Sequence, residues 1–407
     1  MLGIYKKIKE QGALLIINRL FKHLQFFLFL PYTILERERI RKAASMASLE
    51  IRNKNLVVFV CTQLHLRAIK IAYSLKLSGW KVVLLYKDDI AYDIVDYFSD
   101  SHRFQDSWEA LQLASNYRPV AYHVFSNYHF ELAALFVKYK PGKIVFDNYD
   151  LLTGMFKKKD LIPKFLKEEQ YCYINADGIC SRDLRVNYLI HALKFKLPKR
   201  ILFSEYGWPK EKLDHIKKLT DGIHIVYVGS IATDPKSIEA YEYELGALLS
   251  SNSIHFHIYP SHSNLVEVIK ENMKDFVAKD LLEKYIHIHD TISPLDVNRE
   301  ISKYHYGLII STKNVDFGND SETYFQQMGD YLLPSKLFDY LNAGLFILSQ
   351  NAKYIRFIIE RYEIGKVVRS LGDIVDTCKT TPKQVNMPDS LIVNNNVHRL
   401  IDFYNDL

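Results

Sequence analysis

The chain has 407 residues, of which 48% are hydrophobic, 25% charged and 13% aromatic, with 16 Gly and 12 Pro. That composition excludes a disordered or collagen-like chain, and the length exceeds one ordinary hydrophobic core, so two domains of about 150–200 residues are expected. The net charge of +6 sits at the N-terminus: residues 1–54 hold 11 Lys/Arg against 4 Asp/Glu and the rest 42 against 43, which argues against nucleic acid as a partner.

Ala13 to Leu35 is rich in Leu, Ile and Phe, but Arg19, Lys22 and His23 interrupt it and Pro31 breaks it. It falls short of the roughly 18–20 uncharged residues that cross a bilayer. Leu14, Ile17, Phe21, Leu24 and Leu28 follow helical spacing with Asn18, Lys22 and Gln25 opposite, which predicts an amphipathic helix. Lys6, Lys7 and Lys9 precede it and Arg37, Arg39, Arg41 and Lys42 follow, a pattern suited to an anionic membrane surface. The same apolar face also suits the chain's own domain or a second subunit.

After Asn55 apolar β-branched runs alternate with helical stretches. Leu56–Cys61 and Lys81–Tyr86 read as strands around a helix over Leu64–Leu77, and Val120–Phe125, Lys143–Phe146 and Gly178–Cys180 continue the alternation. A charged stretch from Leu197 to Thr220, with Pro198 and the Gly207-Trp208-Pro209 turn, marks a boundary. Six further strands follow: Ile223–Val228, Ile254–Ile258, Ile286–His289, Gly307–Ile310, Leu345–Leu348 and Lys366–Val368. The alternation predicts two parallel-sheet α/β domains. The expected division is a basic amphipathic arm over 1–54, a first domain over 55–205, a second over 206–385 and a C-terminal helix over 386–407.

Cys61, Cys172, Cys180 and Cys378 show no C-x-x-C spacing, so neither a disulfide scaffold nor a zinc knuckle is expected and the compartment reads as reducing. The first strand runs into Cys61-Thr62-Gln63-Leu64-His65 without the glycines of a dinucleotide site. Phosphate-loop, zinc-protease and serine-hydrolase motifs are also absent from the sequence. His255, His257, His287 and His289 alternate along two strands, but no third ligand is evident nearby; they read as satisfied histidines, and no metal is expected.

The most informative segment is Pro334-Ser335-Lys336-Leu337-Phe338-Asp339-Tyr340-Leu341-Asn342-Ala343-Gly344. Proline and glycine bracket a short helix, and the three- and four-residue spacings put Ser335, Lys336 and Asp339 on one face. Backbone N–H groups, a hydroxyl and a cation suit a diphosphate, and a carboxylate one turn later suits the two hydroxyls of a ribose. An ordinary capped helix with exposed Lys and Asp would carry the same letters.

Over residues 55–380 the chain resembles nucleotide-sugar glycosyltransferases of the GT-B fold, in the broad group that includes glycosyltransferase families 1 and 4. The resemblance implies two Rossmann-like, doubly wound parallel-sheet domains facing a cleft. It also implies that Lys336 and Asp339 contact the donor nucleotide with Ser335, and that Val226-Tyr227-Val228-Gly229-Ser230 brings the Gly229 and Ser230 amides to its phosphates. Ile258 to His262 resembles the next strand end, and His289 to Tyr304 the segment near the base. Two glutamates eight apart, common in retaining members, are replaced by Asp339 and Tyr331; the usual Arg after the glycine is missing, with Lys236 the nearest cation. The polar loop between Asn314 and Leu333 offers Glu322 to the sugar. Candidate bases are His65, Asp147 and Asp150 at strand ends of the first domain; either Asp equally suits a helix cap and His65 a first-turn surface position. The implied activity is transfer of a sugar from a nucleotide-diphosphate donor, with no cofactor. The acceptor would be lipid-linked or a surface polysaccharide, and residues 1–50 would hold the protein on the inner face of the cell membrane. A nucleotide-sugar epimerase and a non-catalytic subunit of a glycosylation complex are the alternatives.

Overall fold

The computed structural model describes residues 33–407 except 49–52, 91, 128–129, 156–161, 192–193, 238–239, 311–329 and 381–383. The expected amphipathic helix before residue 33 lies outside the described residues. Two parallel sheets organise the chain. The first holds β1 (Asn53–Cys61), β2 (Lys81–Tyr86), β3 (Asp100–Arg103), β4 (Pro119–Ser126), β5 (Ile144–Asn148), β6 (Gly178–Ser181) and β7 (Lys199–Leu202), in the order β3-β2-β1-β4-β5-β6-β7. Along β1, Val58 and Val60 enter one core while Val57 and Phe59 enter another. An unbroken apolar run is what a strand covered on both faces requires.

The second sheet holds β8 (His224–Gly229), β9 (His255–Pro260), β10 (Ile286–Ile288), β11 (Tyr306–Ile309), β12 (Phe346–Gln350) and β13 (Gly365–Val368), in the order β10-β9-β8-β11-β12-β13. Both sheets reverse direction beside their first strand, at β1/β4 and β8/β11, so each opens a crevice beyond its strand ends. All six strands expected in this half form. In the first half β3 and β7 were not foreseen: Asp100-Ser101-His102-Arg103 is polar throughout, and β7 begins one residue after Pro198. Both are edge strands, where no second neighbour demands an apolar pattern.

The helix Val397–Asn405 sends Leu400, Phe403 and Tyr404 into the first domain's core, so the chain returns to the domain it began in. Gly178 makes room for it, since a Cβ there would lie 2.7 Å from Phe403 Cζ. The outgoing and returning segments touch at Gly207, whose N–H donates to Leu391 O (2.7 Å) and whose carbonyl accepts from Val393 N–H (3.0 Å).

A helix over residues 33–47 packs Ile40 and Ala44 into the first core. Two cations of the expected membrane-facing flank are thereby engaged: the Arg37 and Arg41 guanidinium groups lie 5.1 and 5.4 Å from the Trp108 ring centre. Among the described residues no helix is long and apolar enough to cross a membrane. All four cysteines are free and buried.

Candidate active site

The helix Lys336–Asn342 is fixed by its apolar face. Leu337, Phe338, Tyr340 and Leu341 are buried, and the Tyr340 hydroxyl donates to Leu308 O (3.2 Å) while accepting from Val228 N–H (3.0 Å). One side chain thus ties the helix to both strands of the second switch point. Gly344, at φ +70°, ends the helix in a conformation that glycine adopts without strain. The Ser335 side chain makes no cap hydrogen bond and lines the interdomain cavity instead, which departs from an ordinary capped helix.

Lys336 lies beside the end of β8. Its Nζ sits 4.0 Å from the Tyr227 ring centre, and a Cβ on Gly229 would come within 3.2 Å of it. Gly229 holds φ +139°, so both its conformation and its close neighbour require glycine. The Ser230 hydroxyl is 3.3 Å from that of Ser261 at the next strand end. Lys336, Gly229 and Ser230 therefore surround one spot.

A cavity of about 270 Å³ opens there between the domains, lined by Gly229, Tyr259, Ser335 and Asp339 on one side and Lys70, Tyr149 and Glu205 on the other. Lys70 is buried, donating to Tyr206 O (2.7 Å) and standing 3.7 Å from Glu205 Oε2. Burial lowers the Lys70 pKa, against the pull of Glu205 and Asp339. Asp339 is raised to about 6: desolvation dominates, Glu205 adds to it, and Lys70 and Lys336 oppose it. Asp339 Oδ1 and Glu205 Oε1 are both enclosed and accept no hydrogen bond among the described residues. Glu205 Oε1 has Arg182 Nη1 3.5 Å away, which leaves Asp339 Oδ1 as the acceptor at the cavity wall that a ligand's hydroxyl would satisfy.

His65 stands behind the first-domain wall of the cavity. It caps the helix Leu66–Leu77 and stacks on the lining residue Tyr149 at 4.5 Å and 13°, and the Arg182 guanidinium lies 4.0 Å from the Tyr149 ring centre. Desolvation lowers the His65 pKa, with Glu205 opposing and Arg182 assisting.

The other two expected bases are placed differently. Asp147 is buried inside the first domain, where Oδ2 accepts from Arg67 Nε (3.1 Å) and Nη2 (3.0 Å) and bonds His123 Nε2 (3.0 Å). Arg67 and His123 hold it down to about 2 in spite of desolvation, and it does not line the cavity. Asp150 is held between Arg182 and Arg185, 3.2 Å from each. A carboxylate shared by two guanidinium groups is a weak base. Lys236 lies exposed on a turn where its N–H donates to Asp234 Oδ1, away from the cavity lining. Glu322 lies outside the described residues.

A family model described as glucosyltransferase 3-like, C-terminal domain, matches residues 257–387. No curated protein matches the chain in sequence. A glycosyltransferase structure from Rickettsia africae superposes with a TM-score of 0.60 at 12% identity, covering 87% of this chain and 98% of that one. Sucrose-phosphate synthase from Thermosynechococcus elongatus follows with a TM-score of 0.54 at 10% identity, covering 86% and 95%. This chain has the GT-B fold. A third GT-B likeness, UDP-GlcNAc 2-epimerase from Methanocaldococcus jannaschii, has a TM-score of 0.52 at 8% identity, covering 86% and 99%. The fold was expected from the Pro334 to Gly344 segment and the two runs of strands.

Lys70, Glu205 and Arg182 were missed by sequence reasoning. Lys70 sits on a helix that looks amphipathic, where a lysine is normally read as solvent-facing. Glu205 belongs to the boundary segment, whose lack of period hides its position. A charged residue amid Ile69, Ile71 and Ala72 was the one available signal.

Proposed function

We propose that this GT-B chain transfers a glycosyl group from a nucleotide-diphosphate sugar to a hydroxyl of a lipid-linked or polysaccharide acceptor. The observation that carries the reading is that Gly229, Ser335 and Asp339, whose Oδ1 accepts no hydrogen bond among the described residues, line one interdomain cavity, with Lys336 Nζ beside Gly229. Lys336 and the Gly229 and Ser230 amides stabilise the diphosphate as negative charge develops on it. Asp339 accepts from the ribose hydroxyls, and the neighbouring recess of Tyr259, His289 and Thr291 takes the base. His65 accepts the proton of the acceptor hydroxyl as its oxygen attacks the anomeric carbon and the bond to the diphosphate breaks. In this scheme the donor needs no metal, and residues 1–50, with the exposed cations Arg39 and Lys42 among them, attach the protein to an anionic membrane surface. The glucosyltransferase 3-like match over the second domain supports the donor half.

An epimerase reading rests on the fold shared with the archaeal enzyme. One experiment separates the two. The protein is incubated with a panel of nucleotide sugars, with and without a polyprenyl-linked sugar acceptor. Acceptor-dependent release of nucleoside diphosphate, reduced about a hundredfold or more in kcat by His65→Ala with donor binding retained, is expected. An isomerised donor in the absence of acceptor would establish the epimerase. Failure of every nucleotide sugar to bind folded protein would leave a non-catalytic subunit.

A further inference from the structure

Five imidazoles line up along β8, β9 and β10 of the second sheet, from His224 and His255 at the strand starts to His289 one residue past the end of β10. His224 and His255 are register partners, as are His257 and His287, and each pair stacks with ring centres 4.4 Å apart. Diagonal contacts join the stacks: His224 Nδ1 to His257 Nε2 (2.8 Å), His255 Nδ1 to His287 Nε2 (3.0 Å) and His257 Nδ1 to His289 Nε2 (3.0 Å). Each N···N contact holds one proton and one lone pair, so the tautomers of the joined rings are coupled.

The sequence pattern lacked a third ligand because it comes from a turn. Asp221 Oδ1 lies 2.9 Å from His224 Nε2, and one ligand atom from each of Asp221, His224 and His255 falls within 4.8 Å of the others. We propose that Asp221, His224 and His255 form a binding site for a divalent transition ion of the zinc class. Two imidazoles and a carboxylate are a ligand set that Zn²⁺ accepts, with water completing the tetrahedron. The diagonal contacts supply what such sites require behind the ligands: once the ion displaces the Nε2 proton that His224 gives to Asp221, Nδ1–H of His224 donates to His257 and Nδ1–H of His255 to His287, which turns both Nε2 lone pairs to the ion.

Access is built in. The Asp221 side chain is 70% exposed, and Gly222, at φ +152°, stands beside His255, where a Cβ would lie 3.0 Å from Cδ2 and 3.2 Å from Nε2. Only glycine leaves the His255 Nε2 edge unobstructed at this turn. The second convergent cluster among the described residues, His123, Asp147 and Cys180, offers no such site, because it is sealed and Arg67 already donates to Asp147.

The full-length protein is titrated with Zn²⁺ alone against a chromophoric chelator, and with Co²⁺ for its visible ligand-field bands. One ion per chain with a four-coordinate Co²⁺ spectrum is expected, together with a zinc-dependent rise in Tm. Asp221→Asn and His255→Gln should each weaken binding at least tenfold, and His287→Gln about tenfold through its hydrogen bond to the ligand. His398→Gln, on an exposed helix position of the first domain, should change nothing. Circular dichroism melts establish that each variant is folded. No bound ion, binding that survives both ligand substitutions, or an equal loss in His398→Gln would overturn the site.

Discussion

Asp147 and Asp339 are both enclosed carboxylates on GT-B sheet crevices, and they behave oppositely. In each, Oδ1 accepts no hydrogen bond among the described residues; Asp147 Oδ2, however, is met by Arg67 and His123 and its pKa falls to about 2, whereas Asp339 is met by neither kind of partner among the described residues and its pKa rises to about 6. The Asp147 cluster extends through His123 to Tyr404 on the returning helix, with 2.5 Å between His123 Nδ1 and the Tyr404 hydroxyl, so it joins parts of one domain. Asp339 faces the gap between domains. A buried carboxylate that is ion-paired inside the fold supports structure, whereas one that is not is poised for a ligand.

The contrast breaks most severely at Arg67. Arg67→Leu strands the Asp147 charge in the core and should destabilise the first domain by about 3–5 kcal/mol in urea unfolding. A loss under about 1 kcal/mol would mean that the cluster is incidental. Asp339→Ala should leave stability equal or higher while weakening nucleotide-sugar binding about a hundredfold, since two hydrogen bonds to a charged group are lost. Calorimetry reads both halves, and unaltered affinity would remove Asp339 from the donor site.

The two carboxylates should also titrate in opposite senses. Because Asp339 is raised when folded, the native state binds more protons than the unfolded chain between about pH 4 and 6, and its contribution to stability falls as pH rises through that window. Asp147 is depressed, so its contribution is present above its unfolded pKa and is lost as pH falls towards 2. Ribose hydroxyls need the ionised carboxylate of Asp339. Affinity for a nucleotide sugar, whose phosphodiesters do not titrate here, should therefore rise about tenfold from pH 5 to 7 and then level off. Asp339→Asn should flatten that profile. The smallest effect is Tyr404→Phe, about 1 kcal/mol from one hydrogen bond, read as a shift in the urea midpoint.

What was legible in the sequence follows the same division. Strands such as β1 and β8 carry their own apolar period, and the Pro334 to Gly344 segment carries its caps, so both were readable locally. Asp147 was read as a catalytic candidate because it follows a strand, and nothing local distinguishes a carboxylate that will meet Arg67, 80 positions away. Glu205 and Lys70 acquire meaning only when the linker and the helix Leu66–Leu77 are brought together. The histidines of β9 and β10 were visible as an alternation, but Asp221 and His224 join them only through strand register.

The returning helix has a consequence for how the chain is made. Synthesis proceeds from the first domain to the second at about 5–20 residues per second. Leu400, Phe403 and Tyr404 belong to the first domain's core, yet they follow the whole second domain in sequence. Residues 55–205 therefore wait about 10–40 s for the part of their core that the returning helix supplies, while the second domain, which has its own core, is free to fold in the interval. The domain that is begun first is completed last.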